Sequence, residues 1–394
     1  MKPNTYRPGA GLMPTYIAGR ESVIDDVSAV YDALLVGIPS QSVIFSGLRG
    51  VGKTVLINRL QEIAGEKEIF SKYIEIEEKK DFVSQIASCS QAYLREVSMG
   101  EKLRTIVQRG MDAVKALSLS FDPGSGNFSL SVQDKELYTS YNLTQSMSDV
   151  FTAIGEVAKK SGRPVCFFID EIQYMKQEEL SALISALHRS NQLGYPLIVV
   201  AAGLPKIFKM LSDVKSYAER LFSYREISNL DAEQAKRAVI EPAKKVGVDF
   251  EETAVTRIYE ITKGYPFFIQ QLCQLVYRDL EGNKIRLQDV EEITADYYRT
   301  LDEGFFKARY ERCSDTEKLF TFAMTRCDVL PCEIGAVAKI LRKKTSSVSP
   351  QRAQLINKGI IYAVRHSELD FTVPEYDGFI KRRSEYLAWC ESTD

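Results

Sequence analysis

The stretch from Gly47 to Thr54 (GLRGVGKT) constrains the fold of this chain more than any other part of its sequence. An apolar run, Ser42 to Phe45, precedes it, and a run with helical periodicity, Val55 to Leu60, follows it. Strand, glycine-rich loop and helix in this order are the context in which the pattern G-x-x-x-x-G-K-[ST] is a P-loop. Glycines permit the turns that bring backbone N–H groups close to phosphate oxygens, and the helix that begins there adds further N–H groups. The stretch therefore predicts a phosphate-binding loop.

The side chains at the end of this loop have separate roles in such sites. Lys53 reaches the β- and γ-phosphates, and the Thr54 hydroxyl is placed to ligate Mg²⁺. The residues that we expect to contact the nucleotide at the loop are Gly47, Gly50, Val51, Gly52, Lys53, Thr54 and Val55.

A second motif is the apolar run from Val165 to Ile169, which ends in Asp170 and Glu171. Five apolar residues in a row are what a strand buried on both faces requires. Acids at its carboxyl end would lie where ligands bind in doubly wound sheets. We therefore expect a Walker B strand, in which Asp170 holds Mg²⁺ through water and Glu171 polarises the attacking water. The alternative is an ordinary buried strand that ends in solvated acids.

The surrounding sequence alternates strand and helix patterns, which predicts a predominantly parallel sheet with helices on both faces. Further strands are expected at Tyr73–Ile76 and at Pro196–Gly203. The second of these ends without the polar side chain that many P-loop ATPases with this kind of sheet carry there. The distance along the chain from Lys53 to Asp170 is long, so we interpret residues of about 80–135 as an insertion. Strict alternation on both sides of a turn cluster within 117–132 predicts a hairpin there, either structural or contacting DNA or a partner.

Two arginines follow the next predicted helix, at positions 220 and 225. Either Arg220 or Arg225 could act as an arginine finger, within the subunit or across a subunit interface. The alternative for each is an ordinary surface ion pair.

The strand patterns stop at Asn229, and the remainder divides into two parts. Residues 229–312 contain four helical patterns and predict an all-helical lid. From about Ser314, helices at 315–325, 333–343 and 350–358, a turn at 345–349 and two strands within 360–373 predict a winged helix-turn-helix. The predicted domains are thus 1–228, an α/β core, 229–312, the lid, and 313–394, the winged helix.

The winged-helix region carries a local excess of basic residues, although the net charge of the whole chain is −2. A basic face on a helix-turn-helix is the pattern expected for phosphate contacts with DNA. Winged helices also dock proteins, so the alternative of a solvated or protein-binding face stays open. The candidate DNA-binding residues are Lys339, Arg342, Lys343, Lys344, Arg352, Lys358 and Arg365.

Composition favours a cytoplasmic protein. The seven cysteines are scattered without C-x-x-C spacing, and there are two histidines, so thiols in a reducing compartment are a better interpretation than disulfides or a zinc site. The N-terminus lacks the apolar region of a signal peptide, and no apolar run approaches the ~18 residues that span a bilayer. We therefore expect no membrane association.

In this order, the Gly19-Arg20-Glu21 segment, the P-loop, the Asp170-Glu171 strand, the lid and the winged helix resemble AAA+ ATPases of the archaeal origin-recognition initiator type and their bacterial relatives. The resemblance implies adenine contacts at Ile17, Gly19 and Arg20, although the last two are also compatible with a simple turn before a helix. It also implies that Arg220 is the arginine ahead of the lid. The Gly264-Tyr265-Pro266 turn instead looks like the Gly-x-Pro turn of STAND signalling ATPases, which implies a nucleotide contact at Pro266.

The resulting hypothesis is an ATP-binding and slowly hydrolysing switch that uses ATP, ADP and Mg²⁺. Nucleotide state would control engagement of DNA by the winged helix. The alternative is a STAND-like signalling or defence ATPase in which ATP gates homo-oligomerisation or a protein partner, without DNA binding. Such a partner would dock on the winged helix or on the 80–135 insertion.

Overall fold

The computed structural model describes residues 3–77, 81–97, 103–119, 143–365 and 367–383. Its backbone contacts divide the chain into two units. The first, which we call the core unit, contains Gly19–Gly47 and Gly52–Ser228. The second, the C-terminal unit, contains Met1–Ala18, Leu48–Val51 and Asn229–Asp394. The division falls between Ser228 and Asn229, and it groups the tip of the P-loop with the C-terminal unit.

A five-stranded parallel sheet organises the core unit, as the alternating pattern predicted. Its strands are β1 (Ser42–Ser46), β2 (Phe70–Glu75), β3 (Val165–Asp170), β4 (Leu197–Gly203) and β5 (Phe222–Glu226), in the order β2-β3-β4-β1-β5. Every residue of β1, β3 and β4 is buried, which explains their continuous apolar runs. β5, which the sequence did not predict, is an edge strand whose last two residues are exposed.

Eight α-helices and a short 3₁₀ helix (Ile172–Tyr174) accompany this sheet among the described residues of the core unit. The α-helices are α1 (Glu21–Leu35), α2 (Lys53–Glu66), α3 (Phe82–Val97), α4 (Arg104–Leu119), α5 (Leu143–Ser161), α6 (Gln177–Gln192), α7 (Ile207–Val214) and α8 (Ala218–Leu221). Helices α3 and α4 lie in the region interpreted as an insertion, yet their apolar faces share one core with the sheet and α5. The strand predicted from Leu117 is wrong at its start, because α4 continues to Leu119 with Val114 and Leu117 buried at helical spacing. The rest of the predicted hairpin lies outside the described residues.

The C-terminal unit begins with the four predicted helices, α9 (Ala232–Lys244), α10 (Glu252–Thr262), α11 (Pro266–Arg278) and α12 (Leu287–Thr300). A π-helical turn (Leu301–Phe306) and α13 (Lys307–Tyr310) follow, and β6 (Asp249–Phe250) pairs with β7 (Lys284–Ile285). Tyr6 of the N-terminal arm is buried here, and its hydroxyl donates a hydrogen bond to the carbonyl of Val239. The arm therefore packs with this unit, although the sequence assigned it to a domain of residues 1–228.

The remainder, residues 313–383, is called the C-terminal segment below. It contains α14 (Asp315–Thr325), β8 (Cys332–Glu333), α15 (Ile334–Ile340), α16 (Thr345–Asn357), β9 (Ile361–Ala363), β10 (Glu368–Phe371) and α17 (Tyr376–Arg382), and its antiparallel sheet has the order β8-β10-β9. The sequence placed the start of α16 at Pro350, whereas the helix begins at Thr345. Val348 and Leu355 lie two turns apart and are both buried, so burial of this face outweighs the hydrogen bond that Pro350 removes.

Two kinds of feature are not found in the part of the chain that the structure describes. No helix there combines the length and the apolar character needed to cross a bilayer. No group of three or more histidine, cysteine or acidic side chains is arranged there to hold a metal ion.

Candidate nucleotide-binding site

The loop from Gly47 to Thr54 joins β1 to α2, as the P-loop pattern predicted. Gly50 and Gly52 have φ values of +81° and +94°, which only glycine adopts readily. Gly52, which has no side chain that could cap the helix, is the N-cap of α2. A helix N-terminus directly after a glycine-rich loop is the arrangement that binds a phosphate.

Lys53, the first residue of α2, is buried, with 6% of its surface exposed. Its Nζ donates a hydrogen bond to the Gly47 carbonyl at 2.9 Å. The Gly47 N–H in turn donates to the carbonyl of Gly203, at the end of the neighbouring strand β4, at 3.2 Å. The ammonium group is thus held beside the start of the loop, and its contact with a phosphate stays a prediction.

The two residues predicted to hold Mg²⁺ are in direct contact. The Thr54 hydroxyl donates to Asp170 Oδ2 at 2.6 Å, and the Tyr73 hydroxyl on β2 donates to the same oxygen at 3.2 Å. Asp170 is 2% exposed, and burial raises its pKa above the ordinary carboxyl value. A hydroxyl and a carboxylate at this distance fit a Mg²⁺ ion, which prefers oxygen ligands. The sequence reasoning missed Tyr73, which the β2–β3 register places beside the end of β3.

Glu171 follows directly and adopts an uncommon backbone conformation, with φ at +53°. Its N–H donates to Asp170 Oδ1 at 2.8 Å, and its carbonyl accepts from the Tyr174 N–H at 3.0 Å. The Gln173 side chain donates to its carboxylate. Non-glycine residues in the left-handed region are costly and cluster at functional sites, which supports a special role for this position.

The structure shows the burial and hydrogen bonds of residues that we expect to contact the nucleotide, but not those contacts themselves. Arg20 is the N-cap residue of α1 and is 8% exposed, and its guanidinium donates to the carbonyls of Gly19 at 3.0 Å and Ser228 at 2.6 Å. Burial lowers the pKa of Arg20. Ile17 is half-buried and belongs to the C-terminal unit, and Val55 is half-buried on α2. The adenine contacts of Ile17, Gly19 and Arg20 and the nucleotide contact of Val55 stay predictions.

The two candidate finger arginines differ in their surroundings. Arg220 is exposed at the end of α8, and its backbone carbonyl accepts a hydrogen bond from Gln41 Nε2 at 2.8 Å. Arg225 is exposed on β5, and its guanidinium lies 3.3 Å from the Asp26 carboxylate. The ion pair of Arg225 is the arrangement expected of an ordinary surface arginine. Arg220 therefore stays the predicted arginine finger.

Within the C-terminal unit, the tip of the P-loop contacts the helical lid. Tyr265 is fully buried, and its hydroxyl donates a hydrogen bond to the carbonyl of Arg49. A Cβ added at Gly50 would collide with the same hydroxyl. A Cβ added at Gly359, after α16, would lie 3.0 Å from Arg49 Cζ. The loop tip, the lid and the C-terminal segment therefore adjoin. The sequence singled out the Gly264-Tyr265-Pro266 turn for a nucleotide contact at Pro266, and the contact of Tyr265 with the loop was not predicted.

Pro266 is the first residue of α11 and is half-buried, and its contact with a nucleotide stays a prediction. Of the predicted basic surface, Lys339, Arg342, Lys343, Lys344 and Arg365 are exposed, and Arg352 is half-buried. Lys358 differs, because its Nζ donates to the fully buried carboxylate of Glu317 at 2.6 Å and to the Arg312 carbonyl at 2.9 Å. Burial alone would raise the pKa of Glu317, but the bonds from Lys358 and the Ser314 N–H lower it below the ordinary value. Lys358 is thus engaged in a structural ion pair.

Comparisons with known proteins agree with this geometry. Residues 16–200 match the AAA ATPase domain family, and residues 303–380 match a domain of unknown function, DUF8462. No curated protein sequence matches the chain.

Solved structures support the fold. A Walker-type ATPase of Pyrococcus abyssi is 14% identical, with 97% of this chain and 99% of that chain covered and a TM-score of 0.52, which shows a common fold. The Orc1 protein of Aeropyrum pernix, solved in complex with DNA, is 13% identical over 96% and 95% of the two chains, at a TM-score of 0.47, too low to bear on this chain. Residues 16–200, which include the P-loop and the acidic end of β3, are thus similar to the AAA ATPase domain family, in agreement with the resemblance seen in the sequence.

Proposed function

We propose that this protein is an ATP-binding and slowly hydrolysing switch whose nucleotide state controls DNA binding by the C-terminal segment. The segment would act as a winged helix-turn-helix, with α15 and α16 as its two central helices and the β9–β10 hairpin as its wing. The proposal has three parts, which are the chemistry at the P-loop, the coupling of the loop to the C-terminal unit, and the DNA-binding surface.

The chemistry at the P-loop needs positioning and neutralisation of charge more than covalent catalysis. Lys53 would bind the β- and γ-phosphates, and the N–H groups at the start of α2 would bind phosphate oxygens. A Mg²⁺ ion held by Thr54 and Asp170 would supply charge compensation. Glu171 would orient the attacking water, and the exposed Arg220 would complete the site across a subunit interface in a homo-oligomer.

The observation that carries the switch is the hydrogen bond from the Tyr265 hydroxyl to the Arg49 carbonyl. The bond connects the phosphate-binding loop to the first turn of α11, and Arg49 also lies beside Gly359 of the C-terminal segment. A phosphate that binds the loop in this conformation would favour both contacts, and release of the phosphate would leave them free to change. Nucleotide state and the conformation of the C-terminal unit would therefore be thermodynamically linked.

The DNA-binding surface rests on charge and exposure. Arg342, Lys343 and Lys344 are exposed in the short connection from α15 to α16, and Lys339 is exposed near the end of α15. Exposed basic side chains in such a connection suit contacts with DNA phosphates, which dominate affinity and make it depend on salt. Lys358 is left out of this surface because its charge is offset by Glu317.

The experiment is fluorescence anisotropy of a labelled DNA duplex titrated with the full chain. It is carried out without nucleotide, with ADP and with a non-hydrolysable ATP analogue, each at two salt concentrations. We expect binding that weakens with salt and changes with nucleotide. The double variant Lys343→Glu with Lys344→Glu should lose affinity for all sequences and show a shallower salt dependence. Lys209→Glu with Lys307→Glu, which reverses two exposed lysines elsewhere, is the matched control.

A second candidate function is gating of a protein partner or of oligomerisation without DNA binding. The contact between Tyr265 and the P-loop favours it equally, because that contact couples nucleotide to the C-terminal unit whatever the segment binds. Absence of DNA binding in every nucleotide state at low salt, together with a nucleotide-dependent change in oligomeric mass, would replace the first proposal with this one.

A further inference from the structure

The end of β4 lacks a polar side chain of its own, but another residue supplies polar groups at that place. The sequence there is Ala201-Ala202-Gly203, where many related ATPases carry a polar residue. In the structure the amide of Gln173 lies against this strand end: a Cβ added at Gly203 would lie 2.8 Å from Gln173 Oε1. The lack of a side chain at Gly203 therefore makes room for the Gln173 amide, which any side chain at position 203 would displace.

The orientation of the Gln173 amide is determined by its neighbours. The backbone N–H of Leu204 donates to Gln173 Oε1 at 3.0 Å. Because a backbone N–H can only donate, the oxygen of the amide must face Leu204, and the NH₂ group must point the other way. That group donates to the carboxylate of Glu171. Gln173 is 3% exposed, so competition from water at these bonds is weak.

The amide also connects the Glu171 carboxylate to the P-loop through a short series of hydrogen bonds. Leu204 follows Gly203, whose carbonyl accepts from the Gly47 N–H at 3.2 Å. The Gly47 carbonyl in turn accepts from Lys53 Nζ at 2.9 Å. The residue that orients water and the residue that binds phosphate are thus held to the same strand end. All of these residues belong to the core unit.

We infer that Gln173 is a positioning residue for ATP hydrolysis, which orients the Glu171 carboxylate and replaces the missing polar side chain at the end of β4. One carboxylate oxygen is occupied by the amide, and this leaves the other to accept a hydrogen bond from the attacking water. A general base must lie within hydrogen-bond reach of that water, and a displacement of about 1 Å can cost about 100-fold in rate. The inference rests on the ATPase activity proposed above.

The test compares ATP turnover with ATP affinity in the full chain. Gln173→Met keeps the length of the side chain but removes both strong hydrogen bonds. We expect its kcat to fall about 10- to 100-fold, while its Kd for ATP stays within about twofold, because the hydrogen bonds of the Gln173 side chain go to Glu171 and Leu204, which are not assigned to phosphate binding. Gly203→Ala should reproduce this pattern by pushing the amide away, and Gln177→Met, at an exposed position on α6, is the control.

A double variant separates positioning from a general structural effect. If Gln173 acts through Glu171, adding Gln173→Met to Glu171→Gln should lower the residual single-turnover rate no further. A further loss equal to that in the wild-type background would overturn the role, as would wild-type turnover in Gln173→Met or an equal fall of affinity and rate. A wild-type protein that binds ATP without any turnover would overturn the proposed activity, and with it this role.

Discussion

Removal of the Tyr265 hydroxyl should weaken nucleotide binding. In the structure this hydroxyl holds the Arg49 carbonyl while Gly50 and Gly52 adopt the left-handed conformations of a phosphate-binding loop. Tyr265→Phe keeps the ring, which packs on Phe268 with centroids 4.5 Å apart, and deletes one buried hydrogen bond. Such a bond contributes about 1 kcal/mol net, so the loop loses about that much preference for this conformation. Nucleotide binding must then supply this free energy, which corresponds to an affinity about fivefold lower.

The assay is titration of the full chain with a fluorescent ATP analogue in the presence of Mg²⁺. Tyr297→Phe is the matched control, because Tyr297 is fully buried in the same unit and its hydroxyl has no hydrogen-bond partner within the described residues. The control should bind as the wild type does. Tyr265→Phe should also show a smaller difference in DNA affinity between the ADP and ATP-analogue states. Unchanged or tighter nucleotide binding in Tyr265→Phe would refute the idea that this hydroxyl supports the binding-competent loop.

Three further predictions concern single residues. Lys53→Ala should abolish ATP binding measured by calorimetry, because it removes the buried ammonium beside the start of the loop; normal affinity would disprove the P-loop assignment. Glu171→Gln should bind ATP without releasing phosphate in a continuous assay, since the amide cannot act as a base; undiminished release would exclude that role. Lys358→Met should reduce the free energy of unfolding by about 2 kcal/mol at neutral pH, between the values for exposed and buried pairs. Because the pKa of Glu317 is lowered in the folded state, this stabilisation is complete above the ordinary glutamate pKa and is lost as the pH falls through the lowered pKa. In denaturant titrations followed by circular dichroism, the difference between wild type and Lys358→Met should therefore shrink in acid; a constant difference would argue against the ion pair.

Some features could be predicted because they depend on local sequence. Apolar runs at 42–45, 165–169 and 196–203 indicated strands, the second of them buried on both faces, and every residue of β1, β3 and β4 is buried in the structure. β5 escaped prediction because an edge strand buries only part of its residues and has no continuous apolar run. Because of Pro350, the start of α16 was predicted too far along the chain. The burial of Val348, which outweighs the hydrogen bond that the proline removes, depends on tertiary packing.

The candidate site likewise has a part that local sequence predicts and a part that depends on tertiary contacts. The amino-acid sequence by itself was enough to predict the loop and its chemistry, because Gly50, Gly52, Lys53 and Thr54 are neighbours along the chain and their predicted roles depend on local backbone conformations and side chains. Only the tertiary structure decided which distant groups complete the site: Tyr73 on Asp170, Gln173 joining Glu171 to the end of β4, and Tyr265 on the P-loop. A hydrogen bond between residues far apart in sequence depends on strand register and helix packing, and neither is encoded in any short stretch of residues.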